Sequence, residues 1–301
     1  MTANSPSIAQ QSRSRVQSTR RNFPRFSISL HGIIVYGLLI LLSAIFLFPL
    51  FWMITTALKP DNQIFIWPPR WIPNPPVWQN FVDAFSNPNL PFGRYIVNTL
   101  IIEAGVLAGR LISCTVVAYG FARLNAPGKN FLFTVLLATL MLPSAAILIP
   151  EYILFNQLGW VNTYWPLIVP HWFGNAYAIF LMRQFFMTIP RELEEAAVID
   201  GANTLQILLR VIVPLSFPVL SVIAILTFKD TWNDFLHPLL YLGNPNQYTV
   251  AVGLAYFNGQ YDVRMNLLMA ASVVLMMPIV ILFMFAQRAF VEGISLTGLK
   301  G

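Results

Sequence analysis

Cysteine is almost missing from this chain: Cys114 is the single one in 301 residues. A lone thiol excludes a disulfide framework and a thiolate metal site, and inside an apolar run it reads as a small packing residue. Histidine is nearly as scarce. His31, His171 and His237 lie far apart without His-x-x-x-His or Glu-x-x-His spacing, so no metal centre is expected. No Gly-x-Ser-x-Gly turn occurs either, which leaves an intramembrane hydrolase without its nucleophile motif and the chain without an expected catalytic residue. Charge is low as well, at 10% against the roughly 25% of soluble domains.

What fills the space is apolar. Hydrophobic residues make up 56% of the chain, and a helix needs about 20 of them in a row to cross a bilayer. Six stretches qualify as predicted spans of an all-α polytopic membrane protein: Ile33 to Thr55, Val97 to Tyr119, Phe131 to Ile149, Trp165 to Phe186, Val211 to Phe228 and Leu267 to Phe285. The first starts too far in and runs too long for a cleaved signal peptide. Lys and Arg set the orientation, because short loops rich in them stay cytoplasmic. With both termini inside, Arg13, Arg15, Arg20, Arg21, Arg25, Arg123, Lys129, Arg183, Arg191, Arg210, Arg288 and Lys300 are internal, against Lys59, Arg70, Arg94, Lys229 and Arg264 outside. The net charge of +6 thus reflects topology, and no basic stripe interleaved with aromatics points to nucleic acid.

Four regions follow. Residues 1–30, basic, polar and without an acidic residue, read as a disordered cytoplasmic tail; residues 31–94 hold the first span and an outer Pro/Trp-rich loop suited to the membrane interface; residues 95–290 form the core; residues 291–301 are a cytoplasmic tail. In the second span Gly105-x-x-x-Gly109 offers a close-packing surface. Glu103 and Arg110 share a face there, about 10 Å apart along the axis. Ionisable side chains at that depth must face protein or water, so both are candidates to line a pathway or to meet a structural partner. Trp172, Asn175, Tyr177, Trp232 and Asn233 are further candidate wall positions. Tyr256, Asn258, Gly259 and Gln260, in the outer loop before the last span, are candidate contacts for an extracytoplasmic protein or for sugar hydroxyls.

The most informative segment is polar and internal: Ile189-Pro190-Arg191-Glu192-Leu193-Glu194-Glu195-Ala196-Ala197-Val198-Ile199-Asp200-Gly201-Ala202-Asn203, then Val211-Ile212-Val213-Pro214. Pro190 and three carboxylates suit a first helical turn. Leu193, Ala196, Ala197 and Asp200 share a face of mostly small side chains that a second protein could approach closely, and Gly201 can end the helix in the left-handed conformation. A protruding helical elbow is the expectation; a solvated connector with ordinary caps is the bland alternative.

Glu195, Ala196, Ala197, Gly201 and Pro214 resemble, in order and spacing, the EAA motif of ABC importer membrane subunits, with Val211 and Val213 in place of the usual Ile and Leu. From about Tyr95 onward, Asn98-Thr99, Ala118-Tyr119-Gly120-Phe121-Ala122-Arg123, Leu142-Pro143, Asn162-Thr163 and Gln287-Arg288-Ala289-Phe290-Val291-Glu292-Gly293 are similar to the carbohydrate branch, in particular to the smaller six-helix permease of maltose-type systems. The resemblance implies a bacterial inner-membrane permease that works with a second related permease, two ATPase subunits, an extracytoplasmic solute-binding protein and a sugar. It also implies that the elbow is the ATPase docking site. No cofactor of its own is implied: Gly128-Lys129 hints at a phosphate loop, but Arg123 stands where the first Gly should be and Asn130 replaces Ser or Thr. An ion-coupled secondary carrier is the alternative from another class, though only Glu103 is a clearly embedded carboxylate and no internal repeat is visible.

Overall fold

The computed structural model describes residues 30–86, 90–260 and 264–298, with side chains over 32–257 and 264–285 outside the same gaps. Regular structure among the described residues is entirely helical. The chain divides into residues 1–51 and 52–301. The first unit holds most of α1 (Leu30–Ala57), an apolar helix that carries Pro49 near its end.

The second unit is organised along α3 (Phe92–Arg123), about 48 Å long at 1.5 Å per residue. One stripe of α3 is buried, from Tyr95 through Asn98, Thr99, Ile102, Glu103, Val106 and Gly109 to Cys114, Ala118, Tyr119 and Ala122. The opposite stripe, Ile101, Ala104, Ala108, Ile112 and Val116, is exposed and apolar, as a surface in lipid must be. Two apolar cores lie one after the other along this helix. One gathers Tyr95, Val106, Trp232, Tyr241, Val252 and Ala271 near its start. The other gathers Cys114, Ala118, Met182, Phe186, Ile212 and Ile223 near its end.

Among the described residues three helices are long and apolar enough to cross a membrane: Gly32–Ala57, Phe92–Arg123 and Met265–Phe285, the last within α14 (Met265–Gly298). The expected third and fifth spans are not straight. Residues of the third divide into α4 (Lys129–Thr139) and α5 (Ser144–Gln157), bent by 97° where Pro143 precedes α5. The fifth bends by 78° at Ser216, between Pro214 and Pro218, so up to five spans are counted if each bent pair is one. Trp165 to Phe186, expected as the fourth span, is instead α6 (Trp165–Ile168), a tight turn over Val169–Phe173 and α7 (Ala176–Thr188). Pro170 cannot donate to the preceding turn and Gly174 takes φ +98°, so the helix restarts at Asn175, whose Oδ1 accepts the Ala178 N–H at 3.0 Å. The six spans counted from the sequence, several of them interrupted by proline, become three to five among the described residues.

Candidate functional site

The polar segment folds as an elbow. Helix α8 (Glu192–Ile199) opens with Glu192, Glu194 and Glu195 in its first turn, where carboxylates meet the positive end of the helix dipole. Gly201, at φ +82°, ends it. The Ala202 N–H donates to the Ala197 carbonyl at 2.9 Å and the Gly201 N–H to Val198 at 3.0 Å, the paired bonds of a left-handed helix stop. Asn203 then caps α9 (Thr204–Ile207), its side chain accepting from the Gln206 N–H at 2.9 Å while Gln206 accepts from the Asn203 N–H at 2.8 Å. A widened turn over Leu208–Ile212 leads into α10 (Val213–Leu215), where Pro214 has no N–H for the regular ladder.

Glu195, Ala196, Gly201 and Pro214 are exposed and Ala197 is half-buried. Leu193, Val198 and Ile199 are exposed too, Ile199 by 85%. Acid, alanine and bare aliphatic side chains thus share the outside of this helix. Glu194 differs from its neighbours. It turns inward to Arg123, the last residue of α3, with Nε to Oε1 at 2.7 Å. The Gly128-Lys129 pair marks the start of α4, where the Lys129 ammonium donates to the Leu124 carbonyl at 2.7 Å.

The other concentration of polar side chains is a cavity of about 490 Å³ beside the first half of α3. Arg110, Glu151, His171, Asn175, Asp230 and Asp234 line it, with His237 and Tyr241 from α12 (Leu236–Tyr241) and apolar walls from Ile147, Phe155 and Pro170. Small residues of α3 put this wall in place. Gly105 lies under Ile168 and Gly109 under Trp172, so close that an added Cβ would fall 2.8 Å and 2.4 Å from those side chains. The approach brings His171 to Arg110, with Nδ1 2.8 Å from a guanidinium nitrogen. Because a guanidinium only donates, Nδ1 accepts, which leaves the ring its Nε2–H. Arg110 also donates to Thr227 at 3.2 Å, and the Asn175 N–H reaches the Cys114 sulfur at 3.2 Å, which accounts for the lone cysteine as a packing and hydrogen-bonding residue.

Of the candidate wall positions read from the sequence, Arg110 and Asn175 line this cavity. Glu103 is 2% exposed, and neither carboxylate oxygen has a hydrogen-bond partner among the described residues. Trp172 covers Gly109 and Tyr177 is half-exposed; neither is among the cavity's lining residues. Trp232 donates from its indole to the Leu275 carbonyl at 3.0 Å, and Asn233 bonds Lys229 of α11 (Phe217–Trp232) at 2.7 Å; both border a separate groove against α14. Glu151, His171, Asp230, Asp234 and His237 were not singled out by sequence. A carboxylate at Glu151 within an otherwise uncharged helix was the available signal.

The loop after α12 is tied to α3 by one of the motif pairs, Asn98-Thr99. The Asn98 amide donates to the carbonyls of Asn246 and Tyr248 at 2.9 and 3.0 Å, and the Thr99 hydroxyl accepts from the Val250 N–H at 3.0 Å. Asn162 holds the other end, accepting from the Gly243 N–H at 2.7 Å. In α13 (Val250–Gln260), the Tyr256 ring stacks on Tyr248 with centroids 5.0 Å apart, while the side chains of Asn258, Gly259 and Gln260 lie outside the described ones.

His237 binds Asp234 through Nδ1 at 2.9 Å. That hydrogen bond raises its pKa above the ordinary 6.5, partial burial opposes the rise, and the charges of Asp234 and Glu151 add to it. A raised histidine pKa gives stability that is fully present below the unfolded value and is lost as pH rises through the folded one. With 42% of the side chain exposed, the effect is small, under about 1 kcal/mol. Thermal unfolding followed from pH 6 upward is expected to decline in the wild type over this window and to be flatter in His237→Gln; equal slopes would show that the pair does not contribute.

The family model for the binding-protein-dependent transport system inner membrane component matches residues 102–296. The chain is 34% identical over 259 residues to the probable ABC transporter permease protein YurM of Bacillus subtilis, covering 84% of each. It is 32% identical over 266 residues to the arabinooligosaccharides transport system permease protein AraQ of Halalkalibacterium halodurans, covering 86% of this chain and 93% of that one. A TM-score of 0.78 at 21% identity relates it to a chain in the crystal structure of a bacterial ABC transporter involved in the import of the acidic polysaccharide alginate, over 88% of this chain and 98% of that one. The fold, the elbow and these matches leave the ion-coupled carrier without support. The chain belongs to the family of binding-protein-dependent transport system inner membrane components and is the permease subunit of an ABC transporter.

Proposed function

We propose that this chain is half of the translocation pathway of an ATP-driven importer for a sugar or oligosaccharide in a bacterial inner membrane. A second related permease supplies the other half, two ATPase subunits dock on the elbows, and an extracytoplasmic binding protein delivers the solute to the far side. The observation that carries the reading is the elbow: an exposed Glu195-Ala196-Ala197 helix ended by Gly201, on a chain whose relatives include an arabinooligosaccharide permease. The cavity fits the substrate class, since carboxylates, imidazoles and an amide pair with hydroxyl groups. Six membrane crossings complete the topology, the fourth being the broken α6–α7 unit, with both termini cytoplasmic and residues 1–30 and 291–301 outside the bilayer. The remaining divisions, residues 31–94 and 95–290, are the first span with its outer loop and the transport core.

The test is uptake into proteoliposomes holding this permease with a second permease, ATPase and binding protein, offered a mixture of arabino- and malto-oligosaccharides. Accumulation that needs ATP inside and survives collapse of proton and sodium gradients is the expected result. Uptake by this polypeptide alone, or uptake that follows an ion gradient, would overturn the proposal.

A further inference from the structure

We infer that Arg123 and Glu194 form a latch that ties the elbow to α3, which makes Arg123 a positioning residue for the transmission of force rather than a docking contact. The inference rests on the reading of α8 as the ATPase-coupling helix. No residue of α8 is buried, and only Ala197 leans against the elbow-end core. Apolar packing therefore does little to hold α8 to the bundle, and the ion pair is the main non-covalent tie. Its two side chains are 5% and 16% exposed, and the Tyr119 hydroxyl donates to the second oxygen of Glu194 at 3.4 Å. The same guanidinium donates to the Ile189 carbonyl at the end of α7.

One cation thus joins the end of α3, the end of α7 and the first turn of α8. Among the described residues no second cation pairs with Glu194, although Arg191 lines the same surface pocket. Arg183 is engaged elsewhere, with its Nε donating to the Phe121 carbonyl at 3.3 Å and its guanidinium 4.2 Å above the Phe133 ring. Arg110, which contacts the cavity wall at His171, sits on the same helix about 20 Å from Arg123. A rigid α3 latched at one end to α8 carries a displacement of the elbow to that wall, whereas an unlatched α8 turns about its two chain connections.

The test uses the assembled transporter with Thr231→Cys on a Cys114→Ser background, so that a maleimide reads cavity exposure with and without ATP–vanadate. Arg123→Glu and Glu194→Arg are each expected to keep the ATPase bound but to reduce the nucleotide-dependent change in labelling about tenfold or more. The double exchange Arg123→Glu/Glu194→Arg is expected to restore it, a recovery that a general loss of folding would not show. A wild-type labelling response in both single variants, at matched insertion, would overturn the latch. So would a double exchange no better than either single change. Glu195→Arg is the control for the underlying reading: if it too retains ATPase and response, the coupling role of α8 itself fails, whereas a normal loss there with intact response in Arg123→Glu removes only the latch.

Discussion

Glu195→Arg is expected to leave the chain inserted in the membrane at normal levels and to abolish both ATPase co-purification and solute uptake. The carboxylate is exposed in the first turn of α8, with Ala196 exposed beside it and Ala197 half-buried, so a partner surface can come close enough to exclude water around it. Removing one member of a charge pair buried in an interface costs about 2 to 5 kcal/mol, and each 1.4 kcal/mol is about tenfold in affinity. Reversal of the charge adds repulsion and the bulk of a guanidinium. Because Glu195 takes no part in the Arg123 ion pair, the fold of the elbow is not the cause of the loss. Unchanged co-purification and uptake at matched expression would remove Glu195 from the interface.

Gly201 allows a finer version of the same experiment. An added Cβ there would meet nothing within 4 Å, so the whole cost of a substitution comes from φ +82°. That cost is about 1 to 2 kcal/mol for most residues and less for Asn. Gly201→Leu should therefore weaken ATPase association, while Gly201→Asn should stay near the wild type. If the two variants behave alike, backbone conformation is not what the glycine supplies.

The elbow was legible because its signals are local: carboxylates before an alanine pair, a glycine stop and a later proline are read within a few turns of chain. Asn203 was less visible, although its capping box with Gln206 fixes where α9 begins. The cavity was hardly legible. Its lining comes from α3, α5, the 166–175 segment, α11 and α12, and nothing in the spacing of Glu151, His171 and Asp234 announces that they meet. In a soluble helix the buried face would stand out as the apolar one. In lipid both faces are apolar, so periodicity no longer marks the inside. Tyr177, Trp232 and Asn233 were chosen as polar or aromatic residues, and type alone does not say which way a helix turns. The spans show the same limit: hydropathy counted six stretches where three to five spans are seen among the described residues, and it gave neither the 97° bend at Pro143 nor the restart at Asn175, which depend on where unsatisfied backbone groups find partners.

Gly109 is where a motif legible in the sequence and a site hidden from it meet. Water does not drive helices together inside a bilayer, so close contact between small residues and their neighbours has to supply much of the association. Gly109 supplies it by letting the 168–175 segment descend onto α3. A Cβ at this position would lie 2.4 Å from Trp172 Cδ1 and 2.7 Å from Cγ, so the ring cannot escape by tilting its far edge and must leave its rotamer. The backbone around His171 is held by the Ser113 hydroxyl donating to its carbonyl at 3.3 Å, and the ring by Arg110. Displacing Trp172 therefore pulls on both. Overpacking of this kind costs about 1 to 3 kcal/mol where the surroundings can yield. Gly109→Val is expected to lower uptake by tenfold or more, about the loss that 1.4 kcal/mol brings, while ATPase co-purification persists because the elbow is untouched. Trp172→Ala in the same chain opens room for the valine and should recover a large part of the uptake. Equal defects in the single and double variants would mean that the contact with Trp172 is not what Gly109 is for.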